Sequence, residues 1–180
     1  MHTLETQGIR ADLLAIYLND HLAGATTGVE RARFLAESEQ DSALGTAVRL
    51  LAGQIAQDRA SLLEIMRRLD IPVRRYKVVA GHLAEKAGRL KSNGRLVRRS
   101  PLTPLVELEL LRTGVTGKAG VWEALRRLAP EDGRLDAGEL DGLLERAHDQ
   151  LRTLERLHTE QTGKAFGATA DRPDRQEESG

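Results

Sequence analysis

Five prolines set the folding options of this chain. They stand at Pro72, Pro101, Pro104, Pro130 and Pro173. Proline lacks a backbone donor and clashes with the preceding turn, so it breaks a helix interior but is accepted in a first turn. Four long windows are left clear, roughly 8–38, 42–70, 104–129 and 136–162. Each carries apolar residues at spacings of three and four, the period of a helix with one buried face. The first reads Leu14, Leu18, His21, Ala25, Gly28, Ala32, Leu35 and the second Leu44, Val48, Leu51, Ile55, Asp58, Leu62, Ile65, Leu69. The third reads Leu108, Leu111, Val115, Lys118, Trp122, Leu125, Ala129 and the fourth Leu140, Leu144, Ala147, Leu151, Leu154, His158.

Residue choice agrees with helix. Leu occurs 29 times against 14 Val and Ile together, and β-branched side chains lose more freedom in a helix than Leu does. Asp41 or Ser42 is placed to cap the second window, Thr103 followed by Pro104 to open the third, and Asp136 with Glu139 to form a capping box on the fourth. The connections near 39–41 and 130–135 are short and predict two antiparallel hairpins. The connection over 71–103 is long, and Lys77 to Lys91 within it reads as a further helix. A connector of this length can run back along a bundle. The expected architecture is an all-α, up-down-down-up four-helix bundle with a long helical crossover, one domain over 1–166. The Gly-, Pro- and charge-rich segment 167–180 is expected to be disordered.

With no cysteine, disulfide frameworks, thiolate metal sites and cysteine nucleophiles are excluded. The longest run free of Asp, Glu, Lys and Arg is nine residues, His21 to Val29, far short of the roughly 20 needed to span a membrane. Met1 to Arg10 lacks a basic start followed by an apolar run, so a cytoplasmic location is expected. Gly117-Lys118 fails the phosphate-loop pattern, because Arg112 stands where a glycine is required and Ala119 follows the lysine.

Three stripes are interrupted once by a polar residue: His21, Asp58 and Lys118. Reflection through a hairpin centred near residue 40 sets His21 opposite Asp58. A parallel second and third helix brings Lys118 level with Asp58, and reflection through a turn near residue 133 adds the Glu145/His148 turn. His21, Asp58, Lys118, Glu145 and His148 therefore form a candidate polar layer. Buried charges must be paired. The layer reads as a structural hydrogen-bond network or as a ligand or metal site.

The hairpin pairs, the long crossover and the mid-bundle polar residues resemble the ferritin-like superfamily. The strings AIYLNDHLAGATTGVE (15–30) and EKAGRLKSNGRLVRRSPL (85–102) also resemble small, mostly uncharacterised bacterial helical proteins, a likeness that implies no activity. The ferritin-like resemblance implies the bundle connectivity. In its metal-bearing members it implies a Glu on two helices and Glu-x-x-His on the other two. Here Glu145-x-x-His148 and Glu155-x-x-His158 lie on the fourth window, but Glu64 is followed three residues later by Arg67. Glu30, Glu107 and Glu109 are the other carboxylates at hand. A di-iron or di-manganese centre is not expected. If a transition metal such as iron or manganese binds, the candidate ligands are His21, Asp58, Glu145 and His148. The expected role is a non-enzymatic binding or scaffold protein. The alternatives are a metal- or small-ligand-binding protein of oxidoreductase or storage type, and a nucleic-acid binder.

Lys+Arg and Asp+Glu are 27 each, but the balance is local. From Ile71 to Pro104 stand Arg74, Arg75, Lys77, Lys86, Arg89, Lys91, Arg95, Arg98 and Arg99 against Glu85 alone, a local charge of +8 that leaves −8 elsewhere. Such a segment can dock on the bundle itself, on a second copy in a homo-oligomer, on an acidic protein or anionic surface, or on nucleic acid. With Tyr76 as its single aromatic residue, base stacking is poorly supported. Glycines four apart (Gly24/Gly28, Gly138/Gly142) and three apart (Gly114/Gly117/Gly120) read as close helix approach beside Trp122 or as room for a ligand.

Overall fold

The computed structural model describes residues 2–74, 100 and 102–167, with side chains from Ala11 onward. The described residues form four helices: α1 His2–Ser38, α2 Ala43–Arg68, α3 Thr103–Leu128 and α4 Ala137–Phe166. Among the described residues there is no strand, and no helix is long and apolar enough to cross a membrane. The expected connector helix Lys77 to Lys91 and residues 168–180 of the expected disordered tail lie outside the described residues.

Local chemistry sets the helix ends. Ser42 caps α2, its Oγ accepting from the Gly45 N–H at 3.1 Å. Asp136 caps α4, accepting from the Glu139 N–H at 3.0 Å. The reciprocal half of that capping box is not made, because the Glu139 carboxylate turns to Arg68 of α2 at 2.5 Å. The start of α3 departs from expectation. Leu102 is the capping residue, without a side-chain hydrogen bond, and Thr103 is already helical. The Thr103 N–H bonds the Ser100 carbonyl at 2.9 Å, so a turn feeds the helix instead.

Helix α2 stops in a Schellman motif. Asp70 adopts φ 57°, its N–H bonds the Arg67 carbonyl at 3.1 Å, and the Ile71 N–H bonds Met66 at 2.9 Å. That left-handed position usually belongs to glycine, with Asp and Asn the next most tolerant. Asn19, fully buried in α1, then holds the departing chain. Its amide donates to the Ala15 and Pro72 carbonyls at 2.8 and 3.1 Å, and its Oδ1 accepts from the Arg74 N–H at 2.6 Å.

The buried stripes repeat every seven residues. On α4 they are Leu140, Leu143, Ala147, Gln150, Leu154, Leu157 and Gln161, and on α2 Leu44, Val48, Leu51, Ile55, Asp58, Leu62, Ile65 and Leu69. Alternating steps of three and four average 3.5, the seam of helices packed with a left-handed twist. Leu18, Leu35, Ile65, Leu108, Trp122, Leu125, Leu140 and Leu154 are the centre of one continuous core. Each such side chain stabilises the fold by about 1.5–3 kcal/mol when buried.

Four neighbouring pairs build the bundle: α1 with α2, α3 with α4, α1 with α3, and α2 with α4. Thr26 meets Arg59, Arg126 meets Asp141, and Arg112 faces Glu155. Arg31 grips Glu107 with two hydrogen bonds of 2.9 and 2.6 Å. Arg68 meets Glu139, while ten residues earlier Asp58 meets Gln150. In every pair, higher numbers on one helix lie beside lower numbers on the other.

Candidate functional site

Mid-bundle, three helices converge on one carboxylate. Asp58 of α2 is 1% exposed, and its Oδ2 accepts from Lys118 Nζ of α3 and from Gln150 Nε2 of α4, the latter at 3.0 Å. Gln150 closes the ring, because its Oε1 accepts from the same Lys118 ammonium. Arg146 Nε of α4 stands 2.7 Å from Asp58 Oδ1. That contact is ionic rather than a directed hydrogen bond, since the N–H does not point at the oxygen. Two cations thus share one carboxylate. Burial lowers the pKa of Lys118 from the ordinary lysine value, and the attraction of Asp58 offsets only part of that.

Sequence register anticipated some of these neighbours and misjudged others. Asp58 and Lys118 are together, but Glu145 and His148 are exposed on α4, where Arg146 and Gln150 face inward instead. The pairing of Lys118 with Gln150 puts the α3–α4 pivot at residue 134. A pivot one residue earlier moves the partner by two positions, which is roughly 200° of helix rotation, from inside to outside. On α1 the error is larger. Thr26 pairs with Arg59, so the α1–α2 pivot lies near 42 rather than 40, and His21 sits more than a turn away from Asp58. Gln150 left one signal in the sequence: it occupies the seam position midway between Leu143 and Leu157.

His21 is half-buried and meets Tyr17 edge-on, with ring centroids 4.5 Å apart. Burial lowers its pKa, with Asp20 pulling weakly the other way. The remaining acids also have other roles. Glu107 is bound to Arg31, Glu64 to Arg67, and Glu109 pairs with His158 at 3.1 Å, while Glu30 is exposed. Among the described residues no three of His, Asp and Glu converge closely enough to hold a metal ion. In the basic segment, the backbone N–H of Arg74 is held by Asn19. Arg75, Lys77, Lys86, Arg89, Lys91, Arg95, Arg98 and Arg99 lie outside the described residues.

Helix α1, which adds nothing to the Asp58 cluster, supplies space instead. A cavity of about 420 Å³ opens between α1, α2 and α3, with Asp58 and Lys118 among its lining residues. Gly24 and Gly28 of α1 and Gly114 and Gly117 of α3 also line it. A Cβ added at Gly24 or Gly114 would meet nothing within 4 Å. At Gly28 the nearest atom is Ile55 Cγ2 at 3.9 Å, and at Gly117 it is His21 Cε1 at 3.8 Å. These glycines do not admit a close helix contact; they leave a void. Ile55, Leu62, Leu111, Val115 and Val121 give it mainly apolar walls, and Trp122 adds a buried indole. No family model, curated protein or solved structure matches this chain.

Proposed function

We propose that this chain is a non-enzymatic small-molecule-binding protein of ferritin-like, up-down-down-up connectivity. In this reading the Lys118–Asp58–Gln150–Arg146 cluster stands where metal-bearing relatives of that fold carry their ions, and the Lys118 ammonium supplies the positive charge. The opposed numbering of all four neighbouring helix pairs supports the connectivity. The cavity walled by four glycines carries the functional reading. Its volume lies in the lower part of the roughly 300–1,000 Å³ range of small-molecule sites, and its apolar walls with a few polar groups match their usual make-up.

Trp122 is the single tryptophan and lines the cavity, so its fluorescence reports occupancy. Toluene, a neutral apolar probe, is expected to perturb that emission and to raise the unfolding midpoint in a saturable manner. Gly114→Leu, which puts a side chain into the void, is expected to abolish both responses. Absence of any saturable response in the unaltered protein refutes the cavity as a binding site. A stoichiometric transition metal in chelator-free protein, lost in His21→Ala, would replace this reading with the metal-binding alternative.

A further inference from the structure

Three residues lining the cavity carry N–H donors that no described residue accepts. Lys118 Nζ carries three N–H groups, and two are committed, to Asp58 and Gln150. Arg59 lines the same cavity and spends its Nε on Thr26 Oγ1 at 2.9 Å. Neither of its terminal nitrogens has a hydrogen-bond or ion-pair partner among the described residues. Trp122 is 1% exposed, and its indole N–H has no acceptor among the described residues. On the other side, Asp58 is already engaged by Lys118, Gln150 and Arg146, and Asp20 lies exposed at the rim.

A buried donor without an acceptor costs about 1–3 kcal/mol, and buried polar groups in folded proteins are nearly always satisfied. The charges lean the same way. Lys118 and Arg146 share the one buried carboxylate of Asp58, and Arg59 lines the same cavity without a carboxylate partner among the described residues, so the site has a cationic excess. The rest of the lining is apolar. A water could satisfy the indole, but it would neither fill the apolar volume nor offset the positive charge.

The geometry points to an amphiphilic carboxylate as the ligand: an apolar chain or ring in the cavity, with its carboxylate on the free donors of Arg59 and Lys118. Arg59 is suited to this, because a guanidinium presents paired N–H groups that match the two oxygens of a carboxylate. A second anion beside Lys118 also favours the charged ammonium, which burial otherwise disfavours. This inference rests on the cavity being a binding site, and its test separates the two claims.

Octanoate, 1-octanol and octylamine share one apolar chain and differ in head group. At pH 7.5 they are anionic, neutral and cationic. Titrated into the full chain with Trp122 emission as the readout, octanoate is expected to bind about tenfold more tightly than octanol, the contribution of one good charge-assisted contact. Octylamine is expected to bind most weakly. Arg59→Gln should bring octanoate within about threefold of octanol while leaving octanol unchanged. Circular dichroism and the unfolding midpoint verify that this half-exposed substitution leaves the bundle folded. Equal affinity for octanoate and octanol overturns the carboxylate inference and leaves the cavity reading intact. So does a preference for octanoate that survives both Arg59→Gln and Lys118→Met. Failure of all three probes and of toluene overturns both.

Discussion

Removing the Asp58 carboxylate is the most informative perturbation of the bundle. Asp58 is 1% exposed and engages three side chains from two other helices. In Asp58→Ala, Lys118 keeps only Gln150 Oε1, Gln150 Nε2 has no acceptor, and Arg146 loses its ion partner. Arg146 is 32% exposed and can turn to water. Lys118 is 13% exposed and cannot do so freely. Stranding one member of a buried pair costs about 3–5 kcal/mol. At about 2–4 °C per kcal/mol for a chain of this size, the midpoint should fall by roughly 6–20 °C.

Lys118→Met is different. Asp58 keeps the Gln150 N–H at 3.0 Å and the Arg146 contact at 2.7 Å. The cation that is removed was itself disfavoured by burial. Methionine is unbranched and adaptable enough to occupy much of the lysine stem's path. The expected loss is about 1 kcal/mol, within the range for a volume-conserving core change. The double variant should therefore be more stable than Asp58→Ala alone, since it strands no cation. Urea unfolding of all four proteins, with unchanged slopes, measures this coupling. Strict additivity, or a larger loss in Lys118→Met than in Asp58→Ala, would refute the argument that the stranded ammonium dominates.

Other outcomes follow from the same geometry. Gly45→Ala should destabilise by about 1–3 kcal/mol despite alanine's helix preference, because a Cβ there would lie 2.0 Å from the Glu39 carbonyl oxygen; an unchanged thermal midpoint would count against that loop approach. Asp70 at φ 57° predicts the stability order Gly at or above Asp, with Val clearly below; thermal midpoints in any other order contradict the left-handed cap. His21 has a folded pKa below the ordinary 6.5, so the unfolded chain takes up its proton first as pH falls. Stability from neutral His21 is present above about pH 6.5 and is lost as pH drops through the folded value. His21→Gln should flatten the urea midpoint between pH 7 and 5, and an equal decline in both proteins would exclude this residue. Finally, Gly24→Ala with Gly114→Ala should stabilise the bundle by about 1 kcal/mol per site while weakening toluene binding. Gly53→Ala with Gly142→Ala, which also meet nothing within 4 Å but do not line this cavity, should stabilise alike and leave binding unchanged.

The four helices were legible because two independent signals agreed. Prolines marked where helices cannot run, and leucine outnumbered β-branched residues within the windows. Azimuth was less legible than height. The fourth stripe read Leu144, Leu151 and His158, yet the buried residues are Leu143, Gln150 and Leu157, one position earlier. Apolar residues flank that seam on both sides, so a rule that follows hydrophobicity drifts off it wherever the inward residue is polar. Gln150 was missed for that reason, and Arg146 with it. Cap chemistry was legible at Ser42, where one residue decides the geometry. It failed at Thr103, where the preceding turn already occupies the backbone donor.

The glycines were ambiguous in sequence for a different physical reason. A glycine on a helix face permits close approach or leaves empty space, and both place it at the same seam position. Only the distance to the next atom separates the two. Around the cavity that distance is 3.8 Å or more at all four positions, so no packing gain offsets their intrinsic cost. At about 1 kcal/mol each relative to alanine, four glycines forgo roughly 4 kcal/mol, a large share of the 5–15 kcal/mol that separates folded from unfolded chains. The unfilled volume adds lost dispersion contacts along its walls. Meanwhile α2, α3 and α4 commit a carboxylate, an amide and two cations to the same level of the bundle, and α1 contributes no bulk there. A void left by glycines of α1 and α3 beside a charged cluster held by α2, α3 and α4 is costly as packing. It becomes economical physics once an occupant supplies the missing apolar contacts and the acceptor that Lys118, Arg59 and Trp122 lack.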